Sequence, residues 1–200
     1  EEFHRLTISL DATPPVTSLS PGLPNYSDAA GTTYITSATL LTLTAFDALS
    51  GVSATEYKSD AAAWTPSAPF TLSSEGNHTI FYHSKDNVGN QETDKSFVAV
   101  VDNTAPVTII TASDPKYSAA DGQLYLSAAT VFTLSAADAL SGIAATEYRI
   151  DGGSWTSYAP FTVAAEGTHN IDYRSRDNVT NQEAFKTLTL IVDATAPLTP

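Results

Sequence analysis

The sequence predicts an all-β protein built from two tandem antiparallel β-sandwiches of about seven strands each. The first observation behind this prediction is an internal repeat. Residues 11–101 and 102–192 are identical at 46 of 91 positions, and their alignment needs no gap. The pentapeptide Asp-Ala-Leu-Ser-Gly, for example, occurs at 47–51 and again at 138–142. Identity at one fixed offset indicates two copies of one folding unit.

The second observation is a hydrophobic period of two residues, which places alternate side chains on opposite faces of a strand. Ile80 and Tyr82 are kept in the second copy. By contrast, Phe81 between them becomes Asp172, and His83 after them becomes Arg174. The kept positions are predicted to face a core and the variable ones to face solvent. No stretch of useful length shows a helical period, so the class is all-β.

The third observation is that short apolar stretches are separated by turn-forming clusters such as Ser-Ser-Glu-Gly-Asn, which is typical of sandwiches. Trp64 and Trp155 are predicted to cap the cores, and Tyr57 and Tyr148 to pack on the third strand of each copy. In the first copy the strands are expected at residues 15–20, 38–46, 52–58, 63–65, 69–73, 78–85 and 94–101.

The repeat also predicts the domain boundaries. Residues 11–101 and residues 102–192 form the two units, and each begins with an Asp-x-Thr-x-Pro motif. An alternating apolar stretch precedes this motif at every junction, so residues 1–10 are predicted to be the last strand of a preceding repeat. Residues 193–200 begin with the same motif and are predicted to be the start of a following repeat or a linker.

Composition excludes several classes of function. The 200-residue chain has 22 acidic and 9 basic residues and a formal net charge of −13, which disfavours a nucleic-acid partner. It has no cysteine, so disulfides and cysteine-bound zinc play no part. No apolar run approaches the roughly 20 residues of a membrane span. An acidic chain rich in Thr, Ser and Ala favours an extracellular or cell-surface location.

Three stretches carry a resemblance to a known family. They are Asp-Asn-Thr-Ala-Pro-Val-Thr at 102–108, the stretch 138–158 that starts with Asp-Ala-Leu-Ser-Gly, and the stretch 160–183 that contains Asp-Asn-Val-Thr-Asn. The repeat resembles bacterial Ig-like domains that occur in tandem on surface proteins, in particular the type named after a leptospiral outer-membrane protein. This resemblance implies an Ig-like fold and an adhesive or structural role. A shorter likeness is to giant bacterial adhesins whose Ig-like domains hold calcium near their junctions.

Matched acidic residues suggest a calcium site in each copy. In an Ig-like topology the loop after the second strand, the loop before the last strand and the chain entry lie at one pole. Carboxylate and amide oxygens gathered there are the ligands that calcium favours. The alternative is that these residues bond their own backbone and need no metal. The candidate ligands are Asp11, Asp47, Asp86 and Asn87 in the first copy, and Asp102, Asp138, Asp177 and Asn178 in the second.

One of these loops differs between the copies, because Gly89 becomes Thr180. Glycine adopts a left-handed backbone easily and threonine does so rarely. We therefore expect the two loops to differ in shape.

Other matched polar residues have structural interpretations. Glu56 and Glu147 lie in a predicted strand, where they are expected to pair with Lys58 or Arg149 or to face water. His78 is matched by a second histidine, and the favoured interpretation is a residue at the start of a strand that hydrogen-bonds a loop. No nucleophile elbow, phosphate loop, zincin motif or complete EF-hand is present, so no catalytic residue is assigned.

Exposed aromatic residues suggest a platform for a ligand. They flank a long connection, Ser-Asp-Ala-Ala-Gly-Thr-Thr at 27–33 in the first copy, which is predicted to be a surface loop. Binding of sugars and packing of the loop onto the sandwich are both open interpretations. The aromatic residues are Tyr26, Tyr34, Tyr117 and Tyr125.

The sequence therefore favours a non-enzymatic extracellular repeat segment that acts as a stalk, an adhesin shaft or a filament subunit. The expected partners are adjacent repeats of the same chain, neighbouring copies in a filament, and surface glycans, with no nucleic acid. Calcium is the one candidate cofactor. The alternative is a carbohydrate-binding or protein-binding module of a larger protein. In a filament, residues 1–10 would complete a neighbouring sheet by strand addition.

Overall fold

The computed structural model describes residues 7–195 and builds them into 17 β-strands with no helix in that range, which confirms the predicted all-β class. The chain divides into two compact units, Glu1–Asp102 and Asn103–Pro200. The dividing point lies one residue beyond the end of the first sequence copy. Within the described residues, no helical segment has the length and apolar character of a membrane span.

The two ends of the predicted domain scheme lie partly outside the described residues. Residues 7–10 and 193–195 are described and form no strand. The rest of the predicted terminal strand at 1–10, and of the predicted linker at 193–200, lies outside the described range. Both interpretations therefore stay predictions.

The first unit consists of two sheets. The smaller sheet pairs the first and fourth strands antiparallel, and a backbone bridge joins Leu41 to Phe70 at its other edge. The larger sheet has the order β2-β3-β8-β7-β5-β6. The strands of this unit are β1 (Val16–Pro21), β2 (Asn25–Ser27), β3 (Thr33–Ile35), β4 (Leu41–Phe46), β5 (Val52–Ser59), β6 (Thr65–Pro66), β7 (Gly76–Asp86) and β8 (Lys95–Val101).

The second unit repeats this arrangement. Its smaller sheet has the order β15-β12-β9 and its larger sheet the order β10-β11-β17-β16-β13-β14. The strands are β9 (Val107–Ala112), β10 (Lys116–Ser118), β11 (Leu124–Leu126), β12 (Val131–Ala137), β13 (Ile143–Ile150), β14 (Thr156–Ser157), β15 (Phe161–Thr162), β16 (Gly167–Asp177) and β17 (Lys186–Val192).

The strand order of both units is that of an Ig-like sandwich. Without the short hairpin β2-β3, the first unit has seven elements in chain order: β1, β4, β5, β6, the bridge at Phe70, β7 and β8. The smaller sheet contains β1, β4 and the bridge at Phe70. The larger sheet takes the remaining four elements. This gives the seven elements predicted from sequence. The hairpin is additional, and its second strand pairs in parallel with β8.

Each unit has its own buried core between its two sheets. In the first unit Ile35, Leu41, Ile80 and Val101 are fully buried, and they come from both sheets. In the second unit Phe132, among others, is buried in the same way. Burial of each such side chain contributes about 1.5–3 kcal/mol to stability. The predicted alternation between core-facing and outward-facing positions is therefore what closes each sandwich.

The two tryptophans do not cap the cores, which corrects that prediction. Tyr57 and Tyr82 pack in the core of the first unit, so their neighbours on β5 and β7 point to the opposite, outer face of the larger sheet. Trp64 lies on that outer face, where its ring is 4.2 Å from the ring of His83. His83 is consequently only 7% exposed, although its variable position predicted a solvent-facing residue.

Candidate functional site

Three aspartates meet at one end of the first sandwich. Asp11 precedes β1, Asp47 follows β4, and Asp86 ends β7. One carboxylate oxygen from each residue lies within 4.8 Å of the other two. Asp86 is 1% exposed, and the other two residues are partly exposed. The structure thus brings together the three carboxylates that the sequence placed at this pole.

Each of these carboxylates also accepts hydrogen bonds from a loop. Asp86 Oδ1 accepts three backbone N–H groups of its own loop at 2.6–3.0 Å. Asp47 Oδ1 accepts two in its own loop, at 2.7 and 3.2 Å. Asp11 reaches the loop after β4, where its Oδ2 accepts the N–H of Ser50 at 2.9 Å. These are the bonds of loop-stabilising aspartates, so they agree with the alternative to metal binding.

The amide predicted as a further ligand has a structural contact through its nitrogen. Asn87 Nδ2 donates to the carbonyl oxygens of Ser50 and Gly51 at 2.7 and 3.1 Å. Asn178 makes the matching bond to the carbonyl of Ser141 at 2.7 Å. The amide nitrogen therefore joins two loops, and Oδ1 is the atom that a cation would use.

Hydrogen bonding lowers the pKa of two of the clustered carboxylates, Asp11 and Asp86. The pKa of Asp11 is lowered to about 2, first by hydrogen bonding from Ser50 and then by the backbone N–H of Thr13. Burial by itself raises the pKa of Asp86, but the hydrogen bonds from the side chain and backbone of Asn90 outweigh it, and the pKa is lowered. The pole of the first unit is therefore anionic at neutral pH, which is the charge state that binding of a cation requires.

The second unit places its aspartates in the same loops. Asp138 Oδ1 accepts two backbone N–H groups at 2.8 and 3.1 Å, and Asp177 Oδ1 accepts two at 2.8 and 3.0 Å. Asp102, which aligns with Asp11, is the last residue of the first unit and is 1% exposed.

The loops that contain Gly89 and Thr180 have the same backbone form, so the expected difference in shape is wrong. The φ angle is 101° at Gly89 and 78° at Thr180, and both values lie in the left-handed region. The reason is that Asp86 and Asp177 hold both loops with equivalent bonds to backbone N–H groups. Thr180 therefore carries backbone strain of about 1–3 kcal/mol that glycine does not.

The four tyrosines predicted as ligand-binding residues form two facing pairs on the added hairpins. Tyr26 lies opposite Tyr34 with ring centroids 6.1 Å apart, and Tyr117 lies opposite Tyr125 at 6.2 Å. The Tyr34 hydroxyl lies 3.5 Å from Asp28 Oδ2. Tyr117 is 66% exposed, so the second pair offers an accessible aromatic face.

A His-Asp-Ser arrangement occurs in the first unit. His78 Nδ1 lies 2.8 Å from Asp60 Oδ2, and Nε2 lies 3.1 Å from Ser74 Oγ. Nε2 is also 2.9 Å from the carbonyl oxygen of Ser74, which only accepts hydrogen bonds. Nε2 therefore carries a proton and does not remove one from the serine. In the second unit His169 makes the same bonds with Ala165 in place of Ser74, so the prediction of a histidine that hydrogen-bonds a loop is confirmed.

The strand glutamates pair across strands rather than along them. Glu147 and Arg174 face each other across β13 and β16 and form an ion pair of 2.6 Å. Arg149 pairs with Asp172 at 2.8 Å. The predicted pair of Glu147 with Arg149 is therefore wrong, because the cross-strand neighbour on the same face lies closer than a residue two positions along the strand. Glu56 faces His83 at 3.5 Å in the first unit.

A buried carboxylate joins the two sheets of each unit, and the sequence pattern did not reveal this role. Glu92 follows β7, and its side chain is 6% exposed. It accepts the backbone N–H groups of Thr17 on β1 at 3.2 Å and of Ser84 on β7 at 2.9 Å, and it also accepts the Thr17 hydroxyl. Lys95 on β8 completes the group, with Nζ 2.8 Å from the carboxylate and 2.7 Å from the Thr17 carbonyl.

Comparison with known proteins does not assign a family. No family model matches the chain, and no curated protein matches it. Among solved structures, the fibronectin(III)-like modules of CbhA from Clostridium thermocellum are similar over 88% of this chain and 95% of theirs, with 14% identity and a TM-score of 0.45. The D00-D0 domain of Intimin is similar over 88% of this chain and 100% of its own, with 9% identity and a TM-score of 0.33. The leptospiral type of repeat stays a prediction.

Proposed function

We propose that this chain is a non-enzymatic structural segment of an extracellular protein, in which Ig-like units follow one another as a stalk, shaft or filament subunit. The observation that carries the proposal is the distribution of identity between the two copies. The residues of the sheet-joining group are identical in both: Thr17, Ser84, Glu92 and Lys95 recur 91 positions later. The contacts recur as well, with 2.9 Å between Glu183 and Lys186.

The outer face of the larger sheet varies more between the copies, although Glu56 and Trp64 are kept there. Lys58, Phe81, His83, Lys85 and Asp94 are all replaced in the second copy. The polar groups that both copies keep, such as Glu92 and the pair of Asp60 with His78, make hydrogen bonds within their own sandwich. These are the contacts that hold each sandwich closed, which is what a mechanical role requires.

The connection between the copies supports a stiff segment. The strand β8 ends at Val101 and β9 begins at Val107, so five residues join them. Pro106 restricts its own backbone and that of the residue before it. This short connection with its proline is the feature on which the proposed stiff stalk rests.

Calcium is the proposed cofactor that would stiffen the junctions between successive units. The close approach of Asp11, Asp47 and Asp86 supports this, together with the lowered pKa values of Asp11 and Asp86. Thermal unfolding in chelator and then in millimolar calcium tests the idea, because an ion that binds the folded chain raises the melting temperature. Asp47→Asn is expected to abolish the rise. Equal melting temperatures with and without calcium would remove calcium from the proposal.

Small-angle X-ray scattering tests the rod itself. The matched control is the same chain with a flexible Gly-Ser segment inserted after Asn103, since such linkers behave as random coils. We expect the native chain to give the distance distribution of a narrow elongated particle, and the insertion to give the broader distribution of two tethered bodies. A compact globular distribution for the native chain would contradict the proposal.

The second candidate function is a carbohydrate-binding module, and the exposed ring of Tyr117 opposite Tyr125 favours it. Aromatic faces of this kind stack on the apolar faces of sugar rings. A glycan array tests this candidate. We expect binding that disappears in Tyr117→Ala and persists in the matched Tyr26→Ala variant. An array without signal for the native chain would reject this second candidate function.

A further inference from the structure

The arginine side chains of the second unit lie together on the outer face of its larger sheet. Arg149 on β13 and Arg174 and Arg176 on β16 all point to this face, because the residues between them, such as Tyr148 and Tyr173, face the core. They are the three arginines of the described residues. In a chain with a net charge of −13, this is a local excess of positive charge.

Two of these arginines are held in place by their neighbours. Arg149 is bound to Asp172 at 2.8 Å and Arg174 to Glu147 at 2.6 Å. Both guanidinium groups also lie over the ring of Trp155, at 4.7 and 4.0 Å from its centroid. Their charges are compensated, and their positions are fixed by stacking and ion pairing.

Arg176 differs from the other two. It is exposed, and no described carboxylate lies within ion-pairing distance of it. The residue directly across the strand pair is the small Ala145, which leaves open space beside the guanidinium. That space is a cleft of about 260 Å³ lined by Ala145, Glu147, Arg174, Ser175, Arg176 and Gln182.

We propose that this cleft binds a carboxylate-bearing sugar, of the uronic acid class, through the Arg176 guanidinium. An arginine fork without a partner binds a planar carboxylate through two parallel hydrogen bonds. Gln182 offers an amide donor and acceptor beside it, and Glu147 offers acceptor oxygens at the other side of the cleft. A uronate unit places its carboxylate and its hydroxyl groups close enough together to use all three side chains. This site goes beyond the structural role proposed above and does not depend on it.

The first unit is a built-in control. There Lys85 replaces Arg176 and His83 replaces Arg174, so both forks are missing. Asp94 replaces Phe185 and lies 3.0 Å from His83 Nδ1, which adds a negative charge to this face. The first unit is therefore expected to bind the acidic sugar far more weakly than the second.

The test is an NMR titration of the whole chain with trigalacturonate, in parallel with a neutral galactose trisaccharide and with acetate at equal carboxylate concentration. We expect saturable amide shifts around Ala145, Arg176 and Gln182 with trigalacturonate alone. Arg176→Ala is expected to weaken binding at least tenfold and Arg176→Lys to rescue it only partly, because lysine keeps the charge and loses the fork. Lys85→Ala in the first unit is the matched control and is expected to leave binding unchanged.

Several results would overturn the proposal. Equal shifts with acetate would show attraction of simple anions, and equal shifts with the neutral sugar would show that the carboxylate is not recognised. Tighter binding of an acidic peptide, titrated against the chain in the same way, would assign the cleft to a protein partner. Arg176 is exposed, so a spectrum of Arg176→Ala that is otherwise unchanged shows that the fold is intact. No saturable shift in the native chain would also reject the site and would leave the proposed rod untouched.

Discussion

The backbone N–H of Thr17 donates to the carboxylate of Glu92, 75 residues later in the chain, across a distance of 3.2 Å. This bond ties β1 of the smaller sheet to the segment after β7 of the larger sheet. Thr108 and Glu183 repeat it at 3.3 Å in the second unit. Each sandwich therefore contains a buried carboxylate that accepts hydrogen bonds from four donors.

Removal of this carboxylate's charge is expected to destabilise one unit selectively. Glu92→Gln keeps the shape of the side chain but places an amide group against donors that it cannot all satisfy. We expect a loss of about 2 kcal/mol in the free energy of unfolding of the first unit. Hydrogen exchange resolved by residue checks this, because the second unit is the reference within the same molecule. The exposed Asp114→Asn is the matched control, and an equal loss in that variant would contradict the account.

Acid is expected to weaken the same group in both units. Burial alone raises the pKa of Glu92, but the bonds from Lys95 and Thr17 outweigh it, so the pKa lies below its ordinary value of 4.5. Stability from a lowered pKa is fully present above 4.5 and is lost as pH falls through the lower folded-state pKa. Denaturant unfolding as a function of pH checks this. Glu92→Gln is expected to flatten the profile of the first unit below pH 4.5, and an unchanged slope would refute the prediction.

Base is expected to weaken the histidine contacts. The pKa of His169 is raised, first by its hydrogen bond to Asp151, and both ring nitrogens face acceptors only, which favours the imidazolium form. For His78, burial lowers the pKa, but the bonds to Asp60 and Ser74 outweigh it. Stability from a raised pKa is present below 6.5 and is lost as pH rises through the folded-state pKa.

Nitrogen-15 NMR of the histidine rings measures these pKa values. We expect both to lie above 6.5, and Asp151→Asn to bring the pKa of His169 back toward that value. Asparagine suits this position because residue 151 has a φ of 50°. Ala165 stands where the first unit has Ser74, but both residues offer the same backbone carbonyl to Nε2 of the histidine. The two histidines are therefore expected to titrate similarly. Two neutral rings at pH 6.5 would refute the assignment.

The strain at Thr180 predicts a stabilising substitution. Thr180→Gly is expected to raise the free energy of unfolding of the second unit by about 1 kcal/mol, since its φ of 78° suits glycine. Gly89→Thr is the reciprocal variant and is expected to lower the stability of the first unit by a similar amount. Calorimetric melting of the two variants checks the pair. Changes of the same sign in both variants would show that backbone strain is not the cause.

Much of the fold is predictable from the sequence because the repeat and the alternation are local signals. The core positions Ile80 and Tyr82, for example, follow from a period of two that is kept in both copies. The three aspartates of the first unit were also placed together, because an Ig-like topology puts their loops at one pole. Whether that pole holds calcium depends on affinity and not on pattern.

The remaining features depend on contacts between distant residues. Trp64 has the apolar character of a core residue, but a histidine and a lysine on the outer face provide its contacts. Glu92 looks like any surface glutamate in the sequence, and only the folded chain shows that Thr17 lies beside it. The hairpin β2-β3 has strands of three residues, which are too short for a period of two to be recognised.

Residual dipolar couplings measured on both units of the native chain test the central claim, a stiff succession of two Ig-like sandwiches, most directly. If the short connection holds the units rigidly, one alignment tensor will fit the couplings of both. The chain with a Gly-Ser segment after Asn103 will then need two tensors of different magnitude. Two different tensors in the native chain itself would contradict a rigid stalk.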